Sequence, residues 1–325
     1  MARIGIVGGG AFGTAMACVL RRRGHQVDLW AREPEVVASI NHQAANPHFL
    51  QGVALVPGIH ATTSMGVMEQ AEFVLLAPPA QHMRAVTLAL APHVREGIAV
   101  VSCSKGIERD RLALMPEVLA ETLPRAQVAV LSGPSFAREI ASDLPCGVAL
   151  ACADPALSQR LSLAIRNPRF CVHPTNDVIG VAVGGVMKNV IAIASGIAAG
   201  RKLGENARAT LVTLGLAEAL RLGIAKGARA ETFWGRAGIG DMMLTANSLT
   251  SRNTSLGFEL GEGKALSDIL SRRKEVTEGA FSTEAVAALG RSLDVKMPVT
   301  FALDDLLNHG AALETTLARL IAAFA

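Results

Sequence analysis

The residue of greatest chemical interest in this chain is Lys188. It lies at the centre of the apolar stretch Val178–Gly200, with Asn189 beside it. A lysine in such a run costs roughly 2.5–3.5 kcal/mol on membrane-insertion scales, so a charge there calls for an explanation. Burial lowers a lysine's pKa. A lysine tuned toward neutrality can pass a proton to or from a substrate oxygen. An acidic partner is available in Gly238-Ile239-Gly240-Asp241, which sets a carboxylate in a tight glycine turn. Soon after come Ser251, Arg252, Asn253 and Thr254. A guanidinium fork, an amide and hydroxyls form a donor set suited to holding a phosphate. Taken singly, Arg252 reads as a solvated charge, Asp241 as a turn residue and Lys188 as a salt-bridged core lysine. Taken together they read as an acid–base group beside an anion site.

A second constellation opens the chain. Residues 3–7 read as a strand, followed by Gly8-Gly9-Gly10-Ala11-Phe12-Gly13-Thr14-Ala15. This is G-x-G-x-x-G at the turn from strand to helix, the context that marks a dinucleotide site. Gly8 allows the tight turn, Gly10 lets a pyrophosphate approach the backbone, and Gly13 lets helix and strand pack closely. The free N–H groups of the helix start face the phosphates. The second strand, 26–30, ends in Leu29-Trp30-Ala31-Arg32-Glu33. An acidic residue at that end binds the ribose hydroxyls of NAD. Asp28 comes two residues early and falls within the strand. Arg32 is placed to pair with a 2′-phosphate, which points to NADP, and Glu33 keeps NAD possible. Two further loops follow strands: Ser104-Lys105-Gly106 and Ser132-Gly133-Pro134-Ser135. Ligands of open α/β sheets bind beyond the carboxyl ends of strands, so Lys105 and Ser135 are expected at substrate or cofactor.

The elements that must position these groups alternate in the first half. Strands are expected at 3–7, 26–30, 72–77, 98–102, 128–131, 146–151 and 169–172, with helices such as 13–23, 81–90 and 154–165 between them. Such alternation implies a parallel sheet covered on both faces. Beyond about residue 177 no strand is expected. Helices are read at 177–199, 206–222, 231–234, 242–249, 256–261, 265–273, 282–293, 298–307 and 312–324. The fold class is therefore α/β: an N-terminal Rossmann-like doubly wound domain, 1–180, then an all-α domain, 181–325.

The whole chain excludes several function classes. Its 325 residues are half apolar and 18% charged, enough to bury two cores. A net charge of +3 without a dense basic block argues against nucleic acid. The runs Arg21-Arg22-Arg23 and Arg272-Arg273-Lys274 read as solvated helix faces or ends. Five cysteines without C-x-x-C spacing read as buried reduced thiols of a cytosolic protein. No histidine spacing suggests a metal site. The N-terminal apolar run is too short for a signal peptide. The 178–200 stretch is long enough to span a bilayer, but Lys188 and Asn189 at its centre, its Gly/Ala content and its lack of interfacial Trp or Tyr favour a buried core helix.

Together these stretches resemble the NAD(P)-dependent glycerol-3-phosphate dehydrogenase family. The similar segments are Gly8 to Ala15, Ser104-Lys105-Gly106-Ile107-Glu108, Ser132-Gly133-Pro134-Ser135-Phe136-Ala137, Lys188-Asn189-Val190, Gly238-Ile239-Gly240-Asp241 and Ser251-Arg252-Asn253, in family order. The resemblance implies a Rossmann domain followed by a helical domain, and reversible reduction of dihydroxyacetone phosphate to sn-glycerol 3-phosphate for phospholipid synthesis. It implies a cytoplasmic homodimer. It casts Lys188 as general acid/base with Asp241 beside it, and puts Lys105, Gly133, Ser135, Ser251, Arg252 and Asn253 on the glycerol phosphate. It puts Ala11, Phe12, Arg32, Ala137, Val276 and Glu278 on the cofactor, with Lys105 and Arg252 shared. Two departures concern only the cofactor loops: Phe12 stands where Trp or Tyr is common, and Ala77-Pro78-Pro79-Ala80 has a second proline. Within enzymes the alternative is a β-hydroxyacid dehydrogenase or ketopantoate-type reductase, which would bind a carboxylate. Outside enzymes it is a non-catalytic NADP-sensing protein, which needs neither Lys188 nor Asp241.

Overall fold

The computed structural model describes residues 1–273 and 277–324. The chain divides into two compact units, Met1–Ser104 with Met115–Val178, and Lys105–Leu114 with Ile179–Ala325.

The first unit runs β1 (Arg3–Val7), α1 (Ala11–Arg22), β2 (Gln26–Trp30), α2 (Pro34–Gln43), β3 (Ile59–Thr62), β4 (Phe73–Leu76), α3 (Met83–Leu90), β5 (Ala99–Ser102), α4 (Met115–Thr122), β6 (Gln127–Ser132), α5 (Ala137–Ala141), β7 (Cys146–Cys152), α6 (Pro155–Ile165) and β8 (Phe170–Thr175). The strands form one sheet in the order β3-β2-β1-β4-β5-β6-β7-β8. Successive strands lead outward from β1 in both directions, which is the doubly wound plan. Ile4, Ile6, Leu29, Leu75, Val101 and Leu131 pack on one face with Met16 and Leu20 of α1. Val7, Val74, Leu76 and Val100 alternate with them and are equally buried. Burial on both faces explains why these strands read as continuous apolar runs.

Two sheet features depart from the sequence reading. The four-residue β3 was not expected. It is an edge strand with alternating burial, too short for a two-residue period to stand out beside Pro57 and Gly58. Nor is the sheet wholly parallel, because β7 runs antiparallel to β6. Their connection holds only the five-residue α5, and the chain turns back. The full-length crossover α6 then returns β8 parallel to β7. Pro174 sits in β8 at the sheet edge, where a missing N–H is tolerated.

The second unit is helical: α7 (Val178–Gly200), α8 (Glu205–Ala225), α9 (Ala230–Phe233), a π-helical turn at Arg236–Gly240, α10 (Asp241–Ala246), α11 (Arg252–Gly261), α12 (Leu266–Arg272), α13 (Glu278–Ser292), α14 (Pro298–Asn308) and α15 (Leu313–Ala322). Helix α7 is long and apolar enough to cross a membrane, yet 83% of its most apolar window is buried. Its glycines admit other backbones at close range. A Cβ on Gly196 would lie 2.2 Å from the Thr254 carbonyl oxygen, and one on Gly200 the same distance from that of Phe258. Reciprocally, Gly257 and Gly261 of α11 sit against the Ile193 and Ile197 carbonyls. This four-glycine seam lets α11 lie directly on α7. Glu218 of α8 is fully buried and accepts from the Val299 and Thr300 amides at 2.6 and 3.1 Å, fixing the start of α14. Burial pushes its carboxyl pKa up.

The arginines at the end of α1 do more than face solvent. Arg21 donates to the His25 carbonyl and Arg22 to that of Ile140. Arg273 bonds Glu259 and the Arg252 carbonyl, and Lys274 lies outside the described residues. None of the five cysteines is in a disulfide. Cys18, Cys103 and Cys152 are buried as expected, whereas Cys171 is exposed.

Candidate active site

Helix α7 presents Lys188 at the Asp241 end of α10, and Lys105 enters from the Lys105–Leu114 segment of the same unit. Lys105 Nζ lies 2.6 Å from Asp241 Oδ2, and Lys188 Nζ 3.6 Å from Oδ1. The Lys188 ammonium also donates to Thr245 Oγ1 at 3.2 Å. Thr245 in turn donates to the Asp241 carbonyl one helical turn back at 2.7 Å. The two ammoniums are 14% and 12% exposed and the carboxylate 1%, so their charges interact with little screening. The Lys188 pKa is lowered to about 8: burial drives the fall, Asp241 opposes it, and the Lys105 and Arg252 charges add to it. Two ammoniums thus meet at one buried carboxylate.

Asp241 owes its position to the π-helical turn before it. Gly238 departs from helical dihedrals there (φ −96°, ψ −106°), and a Cβ on it would sit 2.1 Å from the Phe233 carbonyl oxygen. Gly184 of α7 meets the Ala237 carbonyl of the same turn. Only glycines allow this approach of α7 to Asp241.

A chain of amides joins the remaining residues. The Gly279 N–H donates to Asn253 Oδ1 at 2.9 Å, Asn253 Nδ2 to Asn189 Oδ1 at 2.8 Å, and Asn189 Nδ2 to the Lys105 carbonyl at 3.0 Å. A backbone donor at one end and a backbone acceptor at the other fix which way both side-chain amides point. Asn189 and Thr245 are thus members of the site that the sequence reading did not assign. Asn189 had a signal, being the second polar residue at the centre of an apolar helix. Thr245 had none.

Ser251, Arg252 and Asn253 lie at a helix start. Helix α11 begins at Arg252, earlier than expected, because the polar run 251–255 hides its apolar period. Ser251 is the N-cap and accepts from the Thr254 N–H at 3.3 Å. Arg252 is the exposed first residue of this helix, and a guanidinium and first-turn N–H groups are both donors suited to an oxyanion, aided by the helix dipole. Asn253 is buried and engaged in the amide chain. Glu278 opens α13, likewise earlier than expected, and Val276 lies outside the described residues.

In the sheet unit, Gly8 (φ +121°) turns the chain after β1 with no room for a Cβ beside Ala77. Gly13 packs on the Gly8 carbonyl. Gly10 is the N-cap of α1, without a side-chain cap, and a Cβ on it would meet nothing within 4 Å. The loop is therefore open where a pyrophosphate would approach, so these residues fit a dinucleotide. Ala11 and Phe12 are half-buried in the first turn of α1. Arg32 follows β2 with its side chain 77% exposed and its fork on Glu33 at 2.8 Å. Asp28 is committed within the sheet, to Arg3 at 2.6 Å and His60 at 2.7 Å. Gly133 (φ +145°) turns the chain after β6 against Val148, Ser135 donates to the Gly133 carbonyl at 2.7 Å, and Ala137 opens α5. Among the described residues one triad has metal-ligand types, Asp304, Asp305 and His309. Its carboxylates already pair with Arg291 and Arg319.

Comparison with known proteins extends these findings over the whole chain. Residues 3–158 match the family described as NAD-dependent glycerol-3-phosphate dehydrogenase N-terminus, and residues 177–318 its C-terminus. The chain belongs to the NAD-dependent glycerol-3-phosphate dehydrogenase family. It is 47% identical over 319 residues to the glycerol-3-phosphate dehydrogenase [NAD(P)+] of Caulobacter vibrioides, covering 98% of this chain and 96% of that one. It is 46% identical over the same length, with the same coverage, to the dehydrogenase of that name from Parvibaculum lavamentivorans. The crystal structure of glycerol-3-phosphate dehydrogenase from Coxiella burnetii superposes with a TM-score of 0.94 at 34% identity, covering 98% of both chains. Family membership sets aside the ketopantoate-type alternative.

Proposed function

We propose that the protein catalyses reversible reduction of dihydroxyacetone phosphate to sn-glycerol 3-phosphate with a nicotinamide cofactor. The single observation that carries the chemistry is Lys188: a buried ammonium with a pKa near 8, shared with Lys105 on Asp241. A group poised near neutral pH both gives and takes a proton. In the reducing direction Lys188 gives its proton to the carbonyl oxygen at C2, and its charge stabilises the developing alkoxide. The bound reduced nicotinamide supplies the hydride. Asp241 keeps Lys188 charged and oriented, and Thr245 fixes the approach of its Nζ. Lys105, Ser251, Arg252, Asn253 and the α11 N-terminus hold the phosphate; the family resemblance also assigns Gly133 and Ser135 to substrate binding. Such anchoring aims C2 and removes the entropy of free encounter. On the cofactor, Gly8, Gly10 and Gly13 receive the pyrophosphate with Ala11 and Phe12. The family resemblance also assigns Arg32, Ala137, Val276, Glu278, Lys105 and Arg252 to cofactor binding.

NADP is the preferred cofactor and NAD a secondary one. Support comes from Arg32 at the end of β2, where both nearby carboxylates are engaged: Asp28 inside the sheet and Glu33 on Arg32. Functionally, residues 1–180 form the cofactor domain and 181–325 the substrate and catalytic domain, with Lys105 serving the second. The protein acts in the cytoplasm as a homodimer and feeds phospholipid synthesis. The test is Lys188→Ala. Turnover of dihydroxyacetone phosphate falls by at least a hundredfold while NADPH still binds, as expected for loss of a positioned acid. Turnover near the wild-type level with intact cofactor binding refutes the assignment.

A further inference from the structure

Asn46 lies between α2 and β3, far in sequence from the glycine loop, and its side chain is completely buried. One Nδ2 hydrogen bond reaches the Gly9 carbonyl at 2.9 Å and the other Thr14 Oγ1 at 2.9 Å. Its Oδ1 accepts from the Phe49 N–H at 3.2 Å. Both donors and the acceptor are thus used, and the partners fix the direction of the amide, because a carbonyl only accepts and an N–H only donates. Thr14 Oγ1 donates to the same Gly9 carbonyl at 3.2 Å. The Gly9 oxygen is held inward by two donors.

This has a consequence for the next amide. The Gly9–Gly10 peptide is trans, like every described peptide bond, so the Gly10 N–H points opposite to the Gly9 carbonyl. Holding the carbonyl on Asn46 turns that N–H away from Asn46. It joins the uncapped N–H groups at the start of α1, on the loop where Gly10 faces open space. Without Asn46, a peptide between two glycines has little to stop it rotating, because glycine accepts nearly all backbone dihedrals. An inverted Gly9–Gly10 peptide would present an oxygen to a phosphate.

We infer that Asn46 is a positioning residue for the cofactor loop, fixing the Gly9–Gly10 peptide so that its N–H faces the pyrophosphate. The inference rests on the cofactor reading above. Asn46→Asp is nearly isosteric and keeps the acceptor for Phe49, but loses both donors. NADPH affinity, read by fluorescence titration without substrate, weakens about tenfold or more, equivalent to about 1.4 kcal/mol. At saturating NADPH the KM for dihydroxyacetone phosphate stays within about twofold of wild type, because the pyrophosphate site is the part disturbed. An unchanged NADPH affinity overturns the inference. So does a parallel rise in NADPH Kd and substrate KM, the signature of a merely structural role. Should Asn46→Asp fail to fold, Thr14→Val removes one of the two donors to Gly9 and is read in the same way. Its expected loss is smaller, about threefold in NADPH affinity, and the same two outcomes overturn the proposal. Failure of the wild-type protein to bind NADPH or NADH would instead overturn the cofactor reading itself.

Discussion

Replacing Asp241 by Asn tests whether Lys188 works as an acid whose charge depends on its neighbour. The substitution keeps the shape of the side chain and removes its charge. Asp241 lies 3.6 Å from Lys188 Nζ, and both side chains are largely buried. At that distance and an effective dielectric constant of about 20, the attraction is about 4–5 kcal/mol, or roughly three pKa units. Relaxation and water entry reduce this, so a fall of about one to two units is the working expectation. Lys105 pushes the same way, since it already lowers the Lys188 pKa and would lose its own partner. Reduction requires charged Lys188, so its rate falls as pH rises through the Lys188 pKa, near 8 in the wild type. In Asp241→Asn this alkaline limb moves to lower pH by about a unit or more. Oxidation requires neutral Lys188, so its rising limb moves the same way. The assay is the pH profile of kcat in both directions, followed by NADPH absorbance. A limb that stays in place in a folded, cofactor-binding variant refutes the reasoning.

Three further outcomes follow from the geometry. Arg32→Ala lowers kcat/KM for NADPH about tenfold to a hundredfold, the worth of a charge-assisted contact, and leaves NADH nearly unchanged; equal losses with both cofactors contradict the 2′-phosphate role. Gly279→Ala places a Cβ 2.6 Å from Asn253 Oδ1 and 2.7 Å from the Asn189 carbonyl oxygen, which disrupts the amide chain and raises the substrate KM about tenfold, or about 1.4 kcal/mol; steady-state kinetics giving a wild-type KM would show that the chain does not position substrate. Gly257→Ala puts a Cβ 2.1 Å from the Ile193 carbonyl oxygen, so the α7–α11 seam must open at a cost of about 1–3 kcal/mol, with a fall in Tm of several degrees on thermal denaturation; an unaltered Tm would mean that the seam yields freely.

The parts of this structure legible in the sequence are those with a strong local signature. The buried strands of the doubly wound sheet announce themselves as apolar runs, and the glycine loop carries its strand-to-helix context. Lys188 and Asn189 stand out because polar groups inside an apolar helix need a reason. What stayed hidden depends on the partner across space. The edge strand β3 has only one buried face and four residues. The reversal of β7 follows from the shortness of its connection, which no residue marks. The start of α11 is obscured because its first turn is polar and carries no apolar period. The roles of Thr245 and Asn46 arise from contacts with residues distant along the chain or turned toward it by a helix, and neither has a motif. The glycines of α7 were visible as composition, but their purpose became clear only with α11 and the π-helical turn laid against them.

The measurement that bears most directly on the proposed activity is the consumption of NADPH by the wild-type protein, with the product identified. The expected result is oxidation of NADPH that depends on dihydroxyacetone phosphate, forms sn-glycerol 3-phosphate in equal amount, and is slower with a ketone bearing a carboxylate in place of the phosphate. A folded, NADPH-binding protein that leaves dihydroxyacetone phosphate unreduced with either NADPH or NADH, or that reduces the carboxylate ketone faster, would contradict it.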